Sequence, residues 1–161
     1  MKNTIIIYET HYGTSKKVAN IFKSIIDRSK VYNIKSVPKN IQNYNNVIIV
    51  FSFHGYDTAW KIKKYVSSMK EVFTDKKILI IGVGLQQSNM DNYMKSLREA
   101  IGREEDYSEF VEGEIKVSKL TDQDVVILLK FCKKYNMEFK DMGEFNEKEV
   151  YDLALKYKNL L

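Results

Sequence analysis

Cysteine is all but absent: Cys132 stands alone in a chain of 161 residues. A lone thiol excludes an internal disulfide and any multi-cysteine metal or iron–sulfur site within one chain, so redox chemistry has to come from a bound cofactor. One Pro and seven Gly leave no material for a Pro/Gly-rich linker, and one domain over residues 1–161 is expected. Long apolar runs are missing too. Val47 to Phe51 is typical of the longest and falls far short of the ~20 residues that cross a bilayer. No basic segment followed by an apolar stretch and a cleavage site precedes the first strand, so the expectation is a cytoplasmic protein without a membrane span. Also lacking is a compact Arg-rich or aromatic-interleaved stripe. The formal charge of +5 comes from scattered lysines, which argues against nucleic acid and leaves open an acidic partner or peripheral contact with an anionic membrane.

What is present is an alternation of short apolar runs with apolar residues at helical spacing. Thr4–Tyr8 is a short, β-branched apolar run of the kind buried on both faces of a parallel sheet. Val18, Ile21, Phe22, Ile25 and Ile26 follow at helical spacing, predicting a helix from about Ser15 to Arg28. Strands are expected at Val31–Val37, Val47–Phe53, Lys77–Val83 and Phe110–Val117. Helices are expected around Trp60–Met69 and Met90–Ile101, then over Thr121–Tyr135 and Glu147–Leu160. Strands alternating with helices imply right-handed parallel crossovers, hence an α/β three-layer, doubly wound, five-stranded sheet of order 2-1-3-4-5. Ligands bind such sheets beyond the carboxyl ends of the strands, where the winding reverses. Cys132 fits the buried face of its helix.

The loop after the first strand, Thr10-His11-Tyr12-Gly13-Thr14-Ser15, puts three aliphatic hydroxyls and a Gly before a helix. Hydroxyls and free backbone N–H groups there suit a phosphate, although Thr14 or Ser15 acting as a helix cap explains the same residues. Two other helices provide a control. Those opening Thr121-Asp122-Gln123-Asp124 and Asn146-Glu147-Lys148-Glu149 pair a cap with first-turn acids, as the helix dipole prefers. The first helix opens instead with Lys16 and Lys17, and a bound phosphate would supply the missing negative charge. No Walker A or GxGxxG spacing is present, which favours a mononucleotide over ATP or NAD.

Thr10, Gly13 and Ser15 resemble the T-x-T-G-x-T phosphate loop of the flavodoxin superfamily, with Tyr12 in place of its middle hydroxyl. That departure resembles the menaquinone-dependent protoporphyrinogen oxidase branch. The resemblance implies flavin mononucleotide (FMN) as cofactor. It places Ser52, Phe53, His54, Gly55 and Tyr56 in one loop beside the flavin and Gly84 to Ser88, with Gln86, in the other. Short similarities to the oxidase branch recur at Phe110–Ile115 and at Leu120, Thr121 and Asp124. Plainer readings exist: His54 as a strand end, Gly84 as a turn, His11 as a solvated side chain, and Trp60, a candidate with Tyr56 for flavin stacking, as a core or helix-packing residue.

The flavin would carry the chemistry, so no catalytic side chain and no metal site is assigned. Electron shuttling to a partner protein and direct oxidation or reduction of a small anionic substrate both fit, and the lysine excess favours the second. The alternative is a flavodoxin-fold interaction module that has lost or weakly holds FMN. A phosphoreceiver fits poorly, since Glu9 stands without a second acid and Phe51-Ser52-Phe53 ends the third strand.

Overall fold

The computed structural model describes residues 3–53 and 60–161. The five apolar segments form one all-parallel sheet, β1 (Thr4–Glu9), β2 (Ser29–Asn33), β3 (Asn46–Ser52), β4 (Lys77–Gly84) and β5 (Tyr107–Glu112), in the order β2-β1-β3-β4-β5. The helices are α1 (Thr14–Ile25), α2 (Trp60–Ser68), α3 (Met90–Ile101), α4 (Asp122–Lys134) and α5 (Glu147–Lys158).

Strand alternation divides the core in two. Ile5, Ile7, Ile49, Phe51 and Ile80 face α2 and α3, meeting Ile62, Val66, Met94 and Leu97. Ile6, Ile48, Val50, Leu79 and Ile81 face the other way, onto Val18, Ala19 and Phe22 of α1 and Val150, Ala154 and Tyr157 of α5. Both faces of the central strands are covered, which is why their sequences are continuously apolar.

The expected order and most boundaries agree with the structure. Three details differ. β2 stops at Asn33, whose side chain accepts the Lys35 N–H at 3.0 Å and turns the chain into a short 3-10 segment, Ile34–Ser36. β5 lies three residues earlier than its apolar residues suggest, because Leu79 pairs with Tyr107, and an edge strand needs only one buried face. Trp60 opens α2 and is 49% exposed, so it is not a core residue. Cys132 is buried, as expected.

α5 lies against α1 and supplies the crossover layer that follows the last strand. α4 is therefore an addition between β5 and that layer. α5 starts cleanly because the Asn146 side chain accepts the N–H groups of Lys148 (3.0 Å) and Glu149 (3.4 Å). Asn146→Ala should cost about 1 kcal/mol, read as a loss of roughly 2–4 °C in melting temperature.

Among the described residues no helix is long and apolar enough to cross a membrane, and no group of three or more His, Cys, Asp or Glu is placed to hold a metal ion.

Candidate functional site

A cleft of about 700 Å³ opens beyond the carboxyl ends of the strands, where the winding reverses. Its walls are the β1–α1 loop (His11, Tyr12, Thr14), the ends of β3 and β4 (Ser52, Phe53, Gly84, Gln86), the chain after β5, and α4.

The β1–α1 loop is shaped by its own hydrogen bonds. Gly13 adopts a left-handed conformation (φ 96°) as the N-cap of α1, and its N–H donates to Thr10 Oγ1 at 2.9 Å. No side chain caps α1 and no acid lies in its first turn, although the first-turn N–H groups of any helix lack internal acceptors. α4 and α5, by contrast, are capped by Thr121 and Asn146 and carry first-turn acids. The contrast read in the sequence therefore persists in three dimensions.

The Ser15 side chain is buried and its Oγ lies 2.5 Å from Ser52 Oγ, tying the loop to the end of β3. His11, Tyr12, Thr14 and Ser52 line the cleft, whereas Thr10, Gly13 and Ser15 are not among its lining residues. Gly84 leaves room for the Phe53 ring, since a Cβ there would fall 2.2 Å from Phe53 Cε2. Phe53 is itself a core residue, with its ring stacked on Tyr93 at 5.2 Å between centroids, and it forms part of the cleft floor. His54, Gly55 and Tyr56 lie outside the described residues.

The sequence marks Asp124 as a first-turn acid and as part of a short family similarity, with no sign of a contact to the β1–α1 loop. In the fold its carboxylate meets the β1–α1 loop: Oδ2 lies 2.8 Å from His11 Nε2, accepts the Tyr12 hydroxyl, and accepts Thr121 Oγ1 at 2.9 Å. The Thr121 N–H donates in turn to the Tyr12 oxygen at 3.3 Å. Burial pushes the Asp124 carboxyl up, but the hydrogen bonds from Tyr12, His11 and Thr121 outweigh it and hold the group below the usual Asp value. Its contribution to stability is thus present at neutral pH and is lost as pH falls through that lowered value. Burial and the Asp124 carboxylate both raise the Tyr12 phenol, which stays a donor at neutral pH.

The rest of α4 presents Ile127, Phe131, Lys130 and Lys134 to the cleft, and the chain around it adds Ile115, Met137 and Met142. No local signal identifies these residues as a wall. The arrangement offers helix-terminal donors at one end, a polar edge at Gln86 and Asn89, and an apolar interior. Those are the features a phosphorylated, largely planar ligand requires.

A family model described as flavodoxin domain matches residues 5–141. Fusobacterium nucleatum flavodoxin bound to flavin mononucleotide is similar in structure, with a TM-score of 0.61 and 17% identity over 100% of this chain and 99% of that one. Oxidised flavodoxin 2 from Bacillus cereus has a TM-score of 0.60 and 13% identity, covering 99% of both chains. A Lactobacillus acidophilus flavoprotein in complex with FMN has a TM-score of 0.58 and 17% identity, covering 68% of this chain and 93% of that one. No curated protein matches by sequence.

Proposed function

Because this chain belongs to the flavodoxin domain family, we propose that its cleft binds FMN and that the protein is a flavin-dependent redox protein. The observation that carries this reading is the start of α1, which has no side-chain cap and no first-turn acid and borders the cleft. The first-turn N–H groups of α1 and the Thr14 hydroxyl would hold the phosphate. Ser52, Gly84 and Gln86 would border the ring. When bound, FMN supplies electron or hydride transfer, and the protein supplies orientation, local charge and exclusion of water.

Purified apoprotein titrated with FMN should bind one equivalent, quench flavin fluorescence and show micromolar or tighter affinity. An unchanged flavin spectrum at high protein concentration would overturn the reading.

A second observation favours direct turnover of a small molecule over simple shuttling between proteins. The cleft continues under α4 as an apolar space between Ile115, Ile127, Phe131 and Met142, with Lys130 and Lys134 also lining it. Such a space suits an apolar substrate carrying carboxylates, the class to which protoporphyrinogen belongs. Turnover of protoporphyrinogen by the FMN-loaded protein with a quinone acceptor tests this narrower form. Reduction of the flavin by a protein donor, with no turnover of protoporphyrinogen, would favour the shuttle.

A further inference from the structure

Among the described residues, the excursion that carries α4 is tied to the body at two separated places. At its base Ile115 and Met142 form an antiparallel bridge, the Asp141 carboxylate accepts the Val117 N–H at 2.8 Å, and the two legs meet backbone to backbone. Gly143 permits that meeting: it has φ +74°, and a Cβ on it would lie 2.1 Å from the Gly113 carbonyl oxygen. At the other end the attachment runs through two side chains of the β1–α1 loop, the hydrogen bonds that Tyr12 and His11 make with Asp124 and the one that the Thr121 N–H donates to the Tyr12 oxygen. Those groups are accessible, with Tyr12 42% exposed.

Between the two attachments α4 is sparsely packed. It buries only Leu128 and Cys132 of its 13 residues, whereas α1 and α3 each bury four of 12. Ile127 and Leu129 are each 46% exposed. A helix with so little buried surface opens at low free-energy cost unless its ends are held.

We propose that Asp124 is a positioning residue that latches α4 to the phosphate loop through Tyr12 and His11, making the excursion a hinged cover that controls entry and release of the flavin nucleotide. The inference rests on the reading of the cleft as the FMN site. α4 forms one wall of the cleft, and Phe53 and Gly84 belong to its floor, so swinging α4 about the Ile115–Met142 base widens the path to the floor. A cover of this kind acts on association and dissociation in the same direction. A residue that only touched the phosphate would act mainly on dissociation.

The test uses Asp124→Ala, which keeps the Thr121 cap because residue 124 donates to it through its backbone N–H. Tyr12→Phe removes the Tyr12 half of the latch from the opposite side and leaves the His11 contact. Stopped-flow FMN fluorescence should show both rate constants rising about tenfold with the dissociation constant changing by less than about threefold, the signature of gating. Amide exchange over residues 122–134 should accelerate in both variants while β1, β3 and β4 stay protected. Unchanged exchange over 122–134, or faster dissociation with unaltered association, would overturn the proposal. Should Asp124→Ala not fold, Tyr12→Phe provides the same two readouts. Should wild-type protein leave FMN unquenched, the cofactor reading fails, and exchange in the apoprotein still decides whether the latch exists.

Discussion

Gly13→Asp is expected to lower FMN affinity about a thousandfold and to leave riboflavin affinity nearly unchanged. The new carboxylate would sit at the N-cap of α1, where the phosphate is proposed to bind, and two like charges ~4 Å apart repel by about 4 kcal/mol at the effective dielectric of a protein surface. Riboflavin has no phosphate and escapes that repulsion. The fold itself should tolerate the change, because a Cβ at residue 13 meets nothing within 4 Å. The remaining cost is the left-handed backbone, roughly 1–2 kcal/mol for an ordinary residue and less for Asp and Asn. Gly13→Asn separates charge from shape: it imposes the same backbone cost without the charge and should retain most FMN binding. Equal losses for FMN and riboflavin in Gly13→Asp would place the phosphate elsewhere.

Gly84→Ala is expected to destabilise the protein by about 1–3 kcal/mol, the usual range for overpacking, lowering the melting temperature by roughly 3–10 °C. The methyl would lie 2.2, 2.3 and 2.7 Å from three carbons of the Phe53 ring. That ring cannot simply move aside, since Tyr93 stacks on it and Phe51 and Phe110 flank it, each 6.1 Å away between centroids. Phe53 and Gly84 both line the cleft, so FMN affinity should fall as well. Adding Phe53→Leu removes the colliding ring atoms, and the double variant should melt above Gly84→Ala alone. A Gly84→Ala protein that melts like wild type would show that the ring has room to shift.

These two positions show how differently a glycine can be read. Gly13 was legible as a candidate site residue because its neighbours, Lys16 and Lys17, contradict the dipole of the helix they open. Gly84 was assigned to the site only through resemblance, and its physical role, accommodating Phe53, depends on a ring brought there by another strand. The caps of α4 and α5 were likewise legible, because Thr121 and Asn146 each bond to an N–H within three residues.

The sequence by itself determined which segments are strands and which are helices, their parallel order and the end of the sheet where the cleft opens. Short continuous apolar runs, period-3.6 burial, capping and helix charge act over a few residues and leave a local pattern. Only the tertiary structure decided that α4 is an addition rather than a layer of the fold, that its apolar residues wall the cleft, and that Asp124 reaches His11 and Tyr12. Those two contacts join positions 113 and 112 residues apart in the chain. An acid in the first turn of a helix is already accounted for by the dipole, so nothing local distinguishes one that also holds a distant loop.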